Sequence, residues 1–232
     1  MKDTLVFTAT FNEKDNINDL VNAIFNSSNE VDLLIVDDNS PDGTWQILDK
    51  IANARSNFFF IKREKKLGLN TAHQIAYEYA IKNNYNNLIT LDADFSHDPK
   101  EIPKIIKLLN EHDFVIGSRY AEGGKNTQPL HRFLISYFGN KIIKKVLNIQ
   151  MTEFTTSYRG FNLKKLNNFS LKNIKGNGYS FFMETVVVIY RLGFNCIEFP
   201  IVFNDRKFGK SKIPKIEILR TLKNLIFLIF KK

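Results

Sequence analysis

The chain has 232 residues, 44% of them hydrophobic, which suits one full core with at most a small appendage. Its single cysteine, Cys196, excludes an internal disulfide and fits a reducing compartment, with the thiol as a small core residue. A net charge of +9 points to an anionic partner, whether nucleic acid, an anionic membrane surface or a phosphorylated substrate.

The N-terminal residues are too short and acid-interrupted for a signal peptide, and no stretch reaches the roughly 18 apolar residues of a membrane span. A soluble or peripheral chain is expected.

Thr4–Ala9 reads as a first strand, followed by an amphipathic helix on Ile17, Leu20, Val21 and Ile24. Val31–Val36 is a second strand, Ile47, Leu48 and Ile51 mark a second helix, and Phe58–Ile61 is a third strand. A third helix runs from about Thr71 to Lys82, and a strand over Leu88–Leu91 follows. Asp98, Pro99 and Glu101 then supply an N-cap, a first-turn proline and an N3 acid for a helix on Ile102, Ile105, Ile106 and Leu109. A strand at Asp113–Gly117 completes the alternation. Strands recurring about every thirty residues with one helix between them are βαβ units, so the fold expected is α/β with a mostly parallel, right-handed sheet.

Ligands of such sheets bind beyond the carboxyl ends of the strands, and here those tips are polar. The first strand runs into Thr10-Phe-Asn-Glu13, the second into Asp37-Asp-Asn-Ser-Pro-Asp-Gly43, the fourth into Asp92-Ala-Asp94 and the fifth into Gly117-Ser-Arg119. Asp98 has a capping task. Asp92 and Asp94 have none visible, and two carboxylates at a strand tip repel unless a cation lies between them, so a divalent metal competes with an ordinary solvated turn as the explanation. The first loop lacks the glycines of a dinucleotide cradle, and no Walker motif occurs. A nucleotide on this rim would therefore be held by side chains and metal. His97 lies at a helix start, where a structural role in the turn competes with a catalytic one.

The stretches 10–17, 36–44, 67–72, 92–99 and 117–120 resemble, in order, the motifs of family 2 glycosyltransferases, and 178–184 and 200–212 extend the likeness over nearly the whole chain. Within the family the pattern is most similar to the polyprenol (dolichol) phosphate mannosyltransferase group. The resemblance implies a GT-A fold and inverting transfer of a sugar, mannose from GDP-mannose first, to a polyprenyl or dolichyl phosphate. Another nucleotide sugar such as UDP-glucose, or a glycan or protein acceptor, is the alternative.

By position the resemblance puts Thr10, Asn12, Glu13, Asp37, Asp38, Asp92, Ala93, Asp94 and Lys212 on the donor, with Asp92 and Asp94 holding Mg²⁺ or Mn²⁺. It puts Arg119, Arg132 and Ser211 on the acceptor phosphate, and Asp94, Arg119 and Arg206 at the reacting centre. Two departures stand out: Ala9 replaces the usual proline of the first loop, and Glu153-Phe-Thr-Thr-Ser-Tyr-Arg159 replaces the family's Asp-x-Thr-Ser-Gly-Phe-Arg.

Arg206–Lys212, basic and containing Gly209 and Ser211, reads either as a solvated loop or as a lid over phosphates. Residues 1–212 are expected to form the catalytic domain, and 213–232 an amphipathic helix at a membrane interface or against a membrane-protein partner. Arg132–Val146 is a second apolar helix with lysines. Basic residues interleaved with exposed aromatics on one element are absent, so no nucleic-acid partner is expected, and the location expected is peripheral, on the cytoplasmic face of a membrane.

Overall fold

The structure is a computed structural model that describes residues 2–205 and 217–230. The expected alternation is present. The strands are β1 (Thr4–Thr10), β2 (Val31–Asp37), β3 (Phe58–Lys62), β4 (Asn87–Thr90), β5 (Phe114–Ser118), β6 (Lys125–Asn126), β7 (Arg159–Asn162), β8 (Cys196–Pro200) and β9 (Val202–Phe203). The helices are α1 (Lys14–Ser27), α2 (Thr44–Ala54), α3 (Leu69–Lys82), α4 (Ile102–Glu111), α5 (Leu130–Leu147), α6 (Gly178–Arg191) and α7 (Glu217–Phe230).

Seven strands form one sheet in the order β3-β2-β1-β4-β7-β5-β8. Every neighbouring pair is parallel except those of β7, which runs antiparallel to both β4 and β5. The sequence reading did not anticipate β7. Only four residues long, it has no length from which periodicity could be read. Its reversed direction brings the preceding loop, residues 152–158, to the same rim as the tips of β1, β2, β4 and β5.

The β1 and β2 strands are buried almost end to end, as expected of central parallel strands covered on both faces. Alternate side chains divide between two cores. Leu5, Phe7, Leu34, Val36, Leu88, Phe114 and Ile116 join α3, α5, α6 and α7 on one face. Val6, Leu33, Ile35, Ile89 and Val115 join α1, α2 and α4 on the other.

The expected α4 start holds with one refinement. Asp98 Oδ1 accepts the Lys100 amide at 3.0 Å, but the proline-led first turn is a 3-10 turn, Pro99–Glu101, before the α-helix proper. Expected strand ends moved by a residue in β4 and β5, a shift that leaves the alternation of faces unchanged.

Between α4 and β7, a Cβ added at Gly160 would meet Ile105 Cγ2 at 2.6 Å and Leu109 Cδ1 at 3.0 Å. Gly160→Ala is therefore expected to cost about 1–3 kcal/mol of stability by pushing α4 off the sheet, measurable by denaturant unfolding; an unchanged midpoint would refute the close approach.

On α7, Leu225 and Leu228 are buried in the core shared with α6, whereas Leu219, Leu222, Ile226, Phe227, Ile229 and Phe230 are exposed. Leu228 lies three residues after Leu225 and so beside it on the helix. No helix among the described residues is long and apolar enough to cross a membrane.

Candidate active site

Paired carboxylates define the rim, but each carries more structural duty than the sequence suggested. Asp37, fully buried at the end of β2, accepts hydrogen bonds from Thr10 Oγ1 at 2.9 Å, from the Ser40 amide at 2.9 Å and from Ser40 Oγ at 2.5 Å. Ser40 Oγ in turn accepts the amide of Asn12 at 2.9 Å, so one carboxylate ties the tips of β1 and β2 together. Asn12 is exposed and holds a positive φ of 57°. Glu13 is buried at the N-cap of α1, its carboxylate accepting Asn16 Nδ2 at 2.7 Å and its amide donating to Thr44 Oγ1 at 3.0 Å.

Asp38 arrives at the rim already paired with Arg63, a residue the sequence reading missed. Arg63 follows β3 and also donates to Thr71 Oγ1 at 2.6 Å and to the Gly68 carbonyl at 3.2 Å, bridging to the start of α3. Burial raises the Asp38 carboxyl above its ordinary range, opposed by the Arg63 guanidinium. A lone arginine after a strand carries no sequence signal for such a pairing.

Asp92 and Asp94 stand just beyond β4. The expectation that neither has a structural partner needs correcting: Asp92 Oδ1 accepts Ser157 Oγ at 2.5 Å, and Asp94 Oδ1 accepts the Ser96 amide at 3.1 Å in a local turn. The Asp92 side chain remains 36% exposed, while Asp94 is 8% exposed and Ala93 is buried.

His97 is buried beneath this loop and resolves its two readings in favour of structure. Its Nδ1 accepts the Asp92 amide at 3.1 Å, which leaves Nε2 protonated to donate to Thr156 Oγ1 at 3.0 Å. Burial also lowers its pKa, so the ring is neutral, stacked on Tyr158 at 4.9 Å.

Arg119 at the end of β5 is 8% exposed and forms a two-point pair with Glu153, Nε to Oε2 at 2.7 Å and Nη2 to Oε1 at 2.8 Å. The Arg119 charge, expected at the acceptor phosphate and the reacting centre, thus already faces a carboxylate that the sequence reading did not pair with it. Burial would lower the guanidinium pKa, but Glu153 overcomes this and holds it above its ordinary value. Burial likewise would raise Glu153, yet Arg119 and the Thr155 amide and hydroxyl hold its carboxyl below the usual range.

Glu198 of β8 anchors the same loop by accepting the amides of Thr152 at 2.9 Å and Glu153 at 2.7 Å. Arg159, fully buried, donates to the carbonyls of Thr156 at 2.7 Å and Phe154 at 3.0 Å, and burial pushes its pKa down to about 9. Residues 152–158 are thus braced from both sides.

Arg132 is exposed on the first turn of α5. Arg206, Ser211 and Lys212 lie outside the described residues. Burial pushes the Cys196 thiol up to about 12, which suits a packing role.

Two carboxylates from one strand tip, braced by the following turn and by a loop that an antiparallel strand delivers, form a compact acidic centre on a sheet rim. The profile of glycosyl transferase family 2 matches residues 5–169 of the chain. The chain belongs to glycosyl transferase family 2. It is 31% identical over 213 residues to a polyprenol monophosphomannose synthase of Mycolicibacterium smegmatis, covering 90% of this chain and 80% of that protein. It is 32% identical over 210 residues to an undecaprenyl-phosphate mannosyltransferase of Micrococcus luteus, covering 90% and 86%.

Among solved structures, glucosyl-3-phosphoglycerate synthase from Mycobacterium tuberculosis, in complex with Mn²⁺, UDP and glucosyl-3-phosphoglycerate, superposes with a TM-score of 0.66 at 14% identity, covering 99% of this chain and 79% of that one. S. aureus TarS in complex with UDP-GlcNAc gives a TM-score of 0.65 at 16% identity, covering 98% and 66%. The expected GT-A fold and glycosyltransferase class are therefore established for this family 2 enzyme.

Proposed function

We propose that this glycosyltransferase moves mannose from GDP-mannose to the phosphate of a polyprenol, with inversion and with the help of Mg²⁺ or Mn²⁺. The observation that carries the reading is the pair of relatives just described, similar along most of their length and both named for mannosyl transfer involving a polyprenol or its phosphate. UDP-glucose is the second donor reading, favoured by the UDP in the solved neighbours.

Hard oxygen donors fit such a cation. Mg²⁺ is usually held by one or two carboxylates with the rest of its shell from water and phosphate. Asp92 and Asp94 offer that number, and among the described residues no group of three or more His, Cys, Asp and Glu comes together. The ion would supply positive charge against the departing diphosphate.

The protein's own part is positional. Ser157 and His97 brace the loop that carries Asp92, and Asp37 locks the tips of β1 and β2; the family resemblance assigns Glu13 and Asp38, with Asp37 second, to the nucleoside side of the donor and Thr10 and Asn12 to donor binding. Arg119, Arg132, Arg206, Ser211 and Lys212 are assigned to phosphate charge on the strength of the family resemblance. An acceptor phosphate oxygen attacks the anomeric carbon, the bond from that carbon to the β-phosphate oxygen breaks, and the nucleoside diphosphate leaves with the electron pair. A phosphate monoester with a second pKa near ~6 is already deprotonated at neutral pH, so no side chain need act as base. That economy agrees with a neutral His97 held in the turn.

Purified enzyme supplied with each donor and with either polyprenyl phosphate or unphosphorylated polyprenol tests this reading. Transfer from GDP-mannose to the phosphate alone is expected; equal transfer to the free alcohol would refute the base-free mechanism and move a hydroxyl acceptor ahead.

The working position proposed is the cytoplasmic face of a membrane. Support comes from exposed Leu130, Ile135, Phe138 and Ile142 on α5 and exposed Ile226, Phe227, Ile229 and Phe230 on α7, with Lys141, Lys144 and Lys145 nearby. A membrane-protein partner on these faces is the competing occupant. Because Leu225 and Leu228 belong to the core, truncation would confuse anchoring with folding; serine at Phe227, Ile229 and Phe230 is the cleaner change. The substituted chain is expected to co-sediment less with anionic vesicles, and binding of the parent should weaken with salt. Equal sedimentation would remove α7 from the anchor.

A further inference from the structure

Four rings lead from the Arg119–Glu153 pair to the exposed face of α5. The Arg119 guanidinium lies 5.1 Å from the ring centre of Tyr120. Tyr120 meets Phe133 at 6.3 Å and Tyr137 at 5.6 Å; Phe133 and Tyr137, one helical turn apart, stack at 5.7 Å; and Tyr137 meets Phe138 at 5.5 Å. Tyr120 and Phe133 are half-buried at the inner end of the series, and Tyr137 and Phe138 lie outside the core. The side of α5 that enters it is Asn140, Ile143 and Leu147, whereas Tyr137 is 36% and Phe138 54% exposed. From Leu130 to Leu147 the helix carries no acidic residue, and Lys141 Nζ sits 5.9 Å over the Tyr137 ring. The result is an open apolar lane beginning beside a charged pair at the reaction rim and ending at an exposed apolar surface.

We infer that Tyr120, Phe133, Tyr137 and Phe138 form the binding track for the first isoprene units of the acceptor, so that chain length beyond the phosphate is read by this lane. The inference rests on the polyprenyl phosphate acceptor proposed above. Its physical basis is that branched, unsaturated hydrocarbon gains most by covering aromatic faces left open to water, and that apolar walls with few polar groups at one end suit an amphiphile with a charged head. A tail held at its start would also present the phosphate in a fixed orientation instead of leaving it to diffuse at the membrane surface.

The test uses the full-length enzyme in detergent with dimethylallyl, geranyl, farnesyl and undecaprenyl phosphate. For the parent, kcat/KM should climb from dimethylallyl to farnesyl phosphate. Tyr137→Ala and Phe138→Ala, chosen for their exposure, should lower the farnesyl-to-dimethylallyl ratio of kcat/KM roughly tenfold, the equivalent of about 1.4 kcal/mol, through KM for the acceptor and not for the donor. Tyr137→Phe should restore the ratio, since the ring and not the hydroxyl makes the contact. A parent with no length dependence, or variants that lose activity equally on every acceptor, would overturn the track. So would a loss that appears only when the acceptor is embedded in vesicles, which would assign the rings to membrane docking. Failure of the parent to use any prenyl phosphate would instead remove the acceptor class on which the track depends.

Discussion

Asp94→Asn is expected to lower kcat by two or more orders of magnitude while leaving the melting temperature nearly unchanged. Asparagine keeps an oxygen that can accept the Ser96 amide, so the local turn survives, but the charge that would hold a divalent ion is lost. A readout independent of turnover is thermal shift with the nucleoside diphosphate and Mn²⁺. The parent should be stabilised by the two together, as mass action requires of a ligand that binds only the native state, and the variant should not. Full activity of the variant in EDTA would end the metal assignment. Ser157→Ala should produce a milder version of the same defect, a raised Mn²⁺ requirement, because it removes the hydroxyl that orients Asp92 at 2.5 Å.

Glu153→Ala should be the most destabilising single change at the site. It leaves the Arg119 guanidinium buried without its two-point partner and strips the Thr155 and Thr156 amides of their acceptor. Breaking a buried pair from one side costs about 3–5 kcal/mol, which for a chain of this size corresponds to a melting-temperature loss of roughly 6–20 °C. Replacing both members, Arg119→Met with Glu153→Gln, should recover part of that loss, because no unpaired charge remains; a double variant as unstable as the sum of the singles would show the two act independently. The pH dependence has a definite sign. Because the folded Glu153 carboxyl titrates below its ordinary range, the pair's contribution is complete above that range and is lost as pH falls through the lowered folded value. Acid unfolding of the parent should therefore shift to higher pH when the pair is removed.

Short-range features were legible in the chain itself. The α1 stripe of Ile17, Leu20, Val21 and Ile24 is buried as a unit, and Asp98 caps the turn that Pro99 opens, because helix faces and caps are set by residues three or four positions apart. The carboxylates beyond β4 were visible for the same reason: an apolar run must end before charge can begin. Glu153 was visible only as a departure from a family pattern, and its meaning was not.

What the sequence determined by itself was the alternation of strand and helix, the polar rim and, through its motifs, the family. What only the tertiary structure decided was which rim group faces which. Asp92 meets Ser157 across 65 residues, Arg119 meets Glu153 across 34, and both meetings depend on β7 entering the sheet in reverse. Periodicity and capping are local interactions that recur wherever the same few residues stand together. The partner of a buried charge is chosen instead by chain closure and packing, which no window of neighbouring residues contains.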